Sequence, residues 1–157
     1  MTVRPVRPDE AERLFELYRR TALVAYAHVF PADRYPFPDD AVRESWRDVV
    51  ARHGRDREVS VAEEDGGLVG AVVAAPGALE HLFVVPERWG TGVGDALHEA
   101  ALAVSREADV DVCRLEVLEE NRRARRFYER RGWSLDGRRR SGEFPPYPAV
   151  VGYSLSL

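Results

Sequence analysis

The stretch Leu79–Asp95, LEHLFVVPERWGTGVGD, decides how the rest of the chain is read. It opens on an apolar run of Leu, Phe and Val, the composition of a buried strand, and Pro86 stops it. Gly90, Gly92 and Gly94 follow at alternate positions. Beyond them Val93, Leu97, Ala100, Ala101 and Val104 fall on one face of a helix. Glycines between a strand and a helix start leave unpaired N–H groups that attract anions and let a phosphate approach the main chain. The alternative is a glycine turn that merely joins the two elements. A Rossmann loop needs G-x-G-x-x-G directly after its strand, and here Asp95 stands in place of the third glycine. A P-loop needs Gly-Lys, and this chain has no lysine.

Composition bounds the rest. The chain has 157 residues, 45% hydrophobic and 32% charged, enough for one domain over 1–157 with a real core. A net charge of −4 argues against nucleic acid as a partner. The single cysteine, Cys113, excludes an internal disulfide and a multi-cysteine metal site; it reads as a small core residue. No apolar run is long enough to cross a membrane, and MTVRPVRPDE has no signal-peptide core, so a cytoplasmic location is expected.

Periodicity then gives the elements. Thr2–Val6 reads as an edge strand. A helix follows, with Asp9 as its cap and Glu12 at the capping-box position. A proline-rich loop over 30–39 precedes a helix from Asp39 to about His53, with Val42, Trp46, Val49 and Val50 inward. Val59–Glu63 and Leu68–Ala75 form a hairpin, and Pro76-Gly77 turns into the organising strand. Val112–Leu118 alternates as a strand. Asn121 opens a helix that Gly132 ends, and Trp133–Arg140 and Ala149–Leu157 are the last strands. The order β-α-α-β-β-β-α-β-α-β-β is α+β, with a mixed, mostly antiparallel sheet flanked by helices.

LFVVPERWGTGVG resembles the acyl-CoA-binding motif of the GNAT family of N-acetyltransferases: an apolar strand, a proline, then Q/R-x-x-G-x-G/A entering a helix. Leu82, Phe83, Val84, Pro86, Gly92 and Gly94 match; Trp89 replaces the usual Gln or Arg, and Asp95 a small or basic residue. A second motif starts at Asn121, which lies 27 residues beyond Gly94. Asn121, Ala124, Phe127, Tyr128 and Gly132 match N-x-x-A-x-x-F/L-Y-x-x-x-G-F, with Trp133 for Phe. This part is similar to ribosomal-protein N-terminal acetyltransferases. The resemblance implies a GNAT-like fold and acetyl-CoA as co-substrate. It implies that Leu82, Phe83, Val84, Gly90, Thr91, Gly92, Val93, Gly94, Asp95 and Asn121 bind the cofactor.

Acetyl transfer to an amine needs a base, because an alkyl ammonium has a reference pKa near ~10.4, and an acid for the leaving thiolate. It needs no metal. The resemblance makes Tyr128 the acid and Glu116 the base; their plain readings are an amphipathic core aromatic and an exposed strand carboxylate. Glu80 and His81 on the preceding strand are rival bases. If that strand is regular, at most one of these two neighbours lines the cleft. His28, His53 and His98 read as surface or cap residues, and the arginines from Arg122 to Arg131 as a solvated helix face. The expectation is an N-acetyltransferase acting on a small-molecule amine or a protein N-terminal amine, compatible with a homodimer. A catalytically silent acyl-CoA-binding or regulatory module on the same fold is the alternative. The loops Phe30–Asp40 and Ser141–Tyr147 are expected to build the acceptor side.

Overall fold

The structure, a computed structural model, describes residues 1–157. Its strands are β1 (Thr2–Pro5), β2 (Glu58–Glu64), β3 (Gly67–Ala75), β4 (Ala78–Val84), β5 (Val112–Leu118), β6 (Ser134–Ser141) and β7 (Ala149–Ser156). They form one sheet in the order β1-β2-β3-β4-β5-β7-β6. Every neighbouring pair is antiparallel except β4 and β5. The helices are α1 (Ala11–Ala25), α2 (Asp39–Ala51), α3 (Val93–Glu107) and α4 (Arg122–Glu129), and a 3-10 turn at Pro86–Arg88 precedes α3. The expected order of strands and α-helices is the one observed.

Two cores lie on opposite faces of the sheet. On one face α1 and α2 cover β2, β3 and β4 through Leu14, Phe15, Trp46, Val50, Val59, Val61, Val73 and Phe83. On the other, Val93, Leu97, Ala101 and Leu102 of α3 and Tyr128 of α4 pack on Val72, Leu79, Val84, Cys113, Leu115, Val117, Val151 and Tyr153. Leu14 and Leu97 are fully buried, each contributing roughly 1.5–3 kcal/mol. The β2–β3 hairpin turns on Asp65-Gly66, both with left-handed φ (49° and 78°), the geometry that an Asp-Gly pair supplies.

The start of α1 differs from expectation. The helix begins at Ala11 with no side-chain cap, so neither Asp9 nor Glu12 caps it. Glu10 is drawn inward instead. Its carboxylate accepts from Arg4 (2.7 and 3.0 Å), the Arg7 N–H (2.8 Å) and Arg13 (3.2 Å). The Arg4 hydrogen bonds outweigh burial and lower its pKa to about 2. A partner on β1, outside the helix-start pattern, wins over the local cap.

Candidate active site

β4 and β5 pair only at Ala78↔Arg114, where the Arg114 N–H donates to the Gly77 carbonyl (3.0 Å). Beyond that point the strands separate. Val85 N–H donates to Val69 of β3 (2.9 Å), so alternation turns the main-chain groups of Val84 and Leu82 the other way, into the split. By the same rule Arg114 facing β4 places the main-chain groups of Glu116 and Leu118 on the opposite wall. The split is lined by peptide groups that no neighbouring strand satisfies, a slot suited to an extended ligand with amides of its own.

At the upper end of β4 the chain makes its glycine loop. The Trp89 indole N–H donates to the Val84 carbonyl (2.7 Å), and the Thr91 hydroxyl to the Arg88 carbonyl (2.6 Å). Gly92 precedes α3 with φ +92°, a left-handed turn that glycine adopts without strain, and a Cβ there would meet nothing within 4 Å. The first bond of α3 runs from Ala96 N–H to Gly92. No N–H group from Gly90 to Asp95 has a partner within the protein, so the loop presents a run of donors at a helix N-terminus. Gly94 has a different duty. A Cβ there would sit 3.0 Å from the Phe127 ring, so its small size lets α4 approach α3. Asp95 is paired with Arg131, whose guanidinium also stacks on Phe127 at 3.5 Å.

The second motif closes the far wall. Asn121 caps α4 by accepting the Ala124 N–H (3.2 Å). Tyr128, two helical turns on, is buried at 6% exposure, and its hydroxyl has neither a protein partner nor a sealed environment. Burial, with the Tyr26 hydroxyl close by, pushes its phenol above the ordinary range. Tyr26, just past α1, interacts with the Asn121 side chain, and His28 lies 2.8 Å from the Glu120 carbonyl. A depression of about 430 Å³ opens between this segment, Trp89 and residues 120–123.

The base candidates separate clearly. Glu116 projects from β5 on the face opposite α3 and pairs with Arg140 of β6 (2.5 Å). Glu80 sits at a bulge in β4, where Val73 pairs with His81 but Ala74 with Leu79, and it is held by Arg57 (2.7 Å). The strand is therefore irregular at this point. His81 lies on the α1/α2 side among Trp46 (5.3 Å between ring centres) and Tyr18 (6.3 Å), and burial lowers its pKa. Phe83 also turns its ring into that core, and its main chain, in phase with Val85, faces β3, so it gives the split neither side chain nor peptide group.

The family model for the acetyltransferase (GNAT) family matches residues 11–133. This chain belongs to the GNAT family. An uncharacterized N-acetyltransferase of Archaeoglobus fulgidus is 41% identical over 86 residues, 47% of this chain and 58% of that protein. The match thus spans little more than half the length of such curated relatives. PaiA N-acetyltransferase of Thermoplasma acidophilum, solved with coenzyme A, superposes with a TM-score of 0.77 over 96% of both chains at 18% identity. Ribosomal-protein-alanine N-acetyltransferase of Brucella melitensis does so with 0.74 over 100% of both at 18%. These two show the fold.

Within this GNAT fold, several residues have roles the sequence does not announce. His98 is buried and accepts the Trp133 indole N–H (2.9 Å), so it is a core residue rather than a surface one. The arginine helix is only partly solvated. Arg123 stacks on Trp89 (3.7 Å), and Arg125 donates to the Tyr153 hydroxyl (2.9 Å), which donates to Glu129 (2.6 Å). Arg138 pairs with Asp136 and donates to the Leu115 and Tyr153 carbonyls (3.0 and 3.2 Å), lying across the sheet beside Gly152. His53 accepts the Val59 N–H at the start of β2 (3.0 Å), so it ties that strand to the end of α2 rather than capping a helix. None of the helices is long and apolar enough to cross a membrane.

Proposed function

We propose that this chain moves an acetyl group from acetyl-CoA to an amine by direct attack on the thioester. The observation that carries the reading is the β4/β5 split, walled by peptide groups that no strand pairs and ending under the free N–H groups of Gly90–Asp95. Coenzyme A has the matching chemistry: an extended arm with two amides and a pyrophosphate at its far end. Leu82 and Val84 pair with the arm through their main chains. The loop of Gly90, Thr91, Gly92, Val93 and Gly94 takes the pyrophosphate, and the Asn121 amide, whose oxygen is already used, donates to the arm. Asp95, neutralised by Arg131, repels the phosphates less than a free carboxylate would. Family membership and the coenzyme A held by the Thermoplasma protein support the same reading.

In the reaction the amine lone pair forms the C–N bond and the C–S bond breaks. Tyr128 protonates the departing sulfur; its raised pKa keeps the proton in place at neutral pH. Glu116 accepts the surplus amine proton, directly or through water. The acceptor is a small amine or a protein N-terminus, the latter being the class named for the Brucella neighbour.

The test is thiol release from acetyl-CoA with a panel of amines, together with calorimetry. Amine-dependent release is expected, and Gly92→Val, folded by thermal melt, should bind acetyl-CoA at least about tenfold more weakly, the loss of one or two anion contacts. Binding without amine-dependent release would make the chain a silent acyl-CoA module. Unchanged affinity in Gly92→Val would remove the loop as the pyrophosphate cradle.

A further inference from the structure

Two adjacent arginines on β6 form ion pairs with two glutamates at the end of β5, and the pairs differ. Arg139 meets Glu119 with both terminal nitrogens on both oxygens (2.6 and 2.9 Å), which uses up the facing atoms of each partner. Arg140 meets Glu116 through Nε alone, on Oε2 (2.5 Å), while its Nη1 donates to the Ser141 carbonyl (3.1 Å). Glu116 Oε1 and Arg140 Nη2 have no partner in the protein. The pair is half exposed, at 42% and 49% of the two side chains.

The pairs also face different ways. Arg139 is in register with Val151, which lies in the core under α3 and α4. Arg140 is in register with Val150, on the other face, where no helix covers β5, β7 and β6. Glu116 is in register with Gly152, whose missing side chain leaves the sheet flat there, and Arg138 lies over it. The open pair therefore lies on the face that α3 and α4 leave bare, with Glu116 on the strand that borders the β4/β5 split.

We infer that the Glu116–Arg140 pair recognises the acceptor as a zwitterion, a free α-amino acid whose amine meets Glu116 Oε1 and whose carboxylate meets Arg140 Nη2. This rests on the acetyl-transfer reading above. An unpaired acceptor oxygen beside an unpaired guanidinium nitrogen complements an ammonium and a carboxylate borne on one carbon. Both contacts are charge-assisted, and the carboxylate contact fixes which way the amine points. A polyamine would bring a second positive charge against Arg138 and Arg140.

The experiment measures thiol release with leucine and phenylalanine, and with 3-methylbutylamine and phenethylamine, which lack only the carboxylate. The wild type should prefer the amino acids by about tenfold or more in kcat/KM, the size of one charge-assisted contact. Arg140→Gln should erase that preference, raising the amino-acid KM by about tenfold relative to that of the simple amines. Arg139→Gln, on the covered face, should leave both sets within about twofold. Equal or better use of the simple amines, better use of leucinamide than leucine, or an equal effect of Arg140→Gln on both sets would overturn the inference while leaving acetyl transfer intact. Release with a peptide N-terminus but with none of these amines would overturn this inference alone; release with neither, despite acetyl-CoA binding, would overturn the transfer reading and this inference with it.

Discussion

The two sides of the β4/β5 split are built differently. β3 is covered by helices on both faces and is buried along almost its whole length. β5 alternates, with Cys113, Leu115 and Val117 buried and Arg114 and Glu116 exposed, because helices cover only one of its faces. β6, at the edge, is exposed throughout. The half closed on both sides can hold position but has no free surface. The half closed on one side places charged groups at the edge of the split with water and solutes in reach. Rigidity and chemistry are thus divided between the two halves of the sheet, and the split is where they meet.

The largest expected effect lies in the closed half. Glu10, almost fully buried, has its pKa lowered from an ordinary 4.5 to about 2 by Arg4. A depressed carboxylate contributes stability that is complete above its unfolded pKa and lost as pH falls through its folded one. The wild type should therefore lose about 3 kcal/mol from this group between pH 4.5 and 2. Glu10→Gln should lack that component in acid denaturation and be less stable at neutral pH. An identical pH slope in both would show that the Arg4 pair does not anchor β1 to α1. Next, Tyr128→Phe should slow turnover by about 10²-fold with little change in acetyl-CoA affinity. Unaltered turnover would reduce Tyr128 to packing.

One substitution on both sides sharpens the contrast. Gly70→Ala puts a Cβ 2.7 Å from the Phe83 carbonyl, which is backbone and cannot move aside. A loss of about 2 kcal/mol is expected, seen as a melting point lower by roughly 4–8 °C. Gly152→Ala meets Asp136 and Arg138 at 2.6 and 2.7 Å, but these are the ends of flexible side chains. Its melting point should move by under about 2 °C. Equal losses would mean that the open half is as tightly packed as the closed one. A further contrast concerns the base: Glu116→Gln should cut turnover by about tenfold at neutral pH, recovering in part as free amine accumulates at higher pH. His81→Ala should do much less. The reverse result would move the base to β4.

The closed half was the more legible in sequence. The continuous run LVGAVVAA announces a strand buried on both faces, and VCRLEVL announces one with a wet face. The glycine loop and the Asn121 cap were readable because the turn chemistry is local. What escaped depends on partners far along the chain. Trp133 reaches His98 and makes it a core residue. Tyr26 comes from the other end of the molecule to lie against Asn121. The bulge at Glu80 breaks an alternation that looked regular. Arg139 and Arg140 are identical neighbours in sequence; alternation sends them to opposite faces, and only the register of β6 on β7 decides which of them lies on the open one.

Amide hydrogen exchange, with and without saturating acetyl-CoA, tests the central claim most directly. If the cofactor arm lies in the split, the amides of Leu82 and Val84 should slow, as should those from Gly90 to Asp95. Those of Val61 and Val73, already paired inside the closed half, should be unchanged. Protection spread over the closed half, with none at Leu82, Val84 or the glycine loop, would contradict the account.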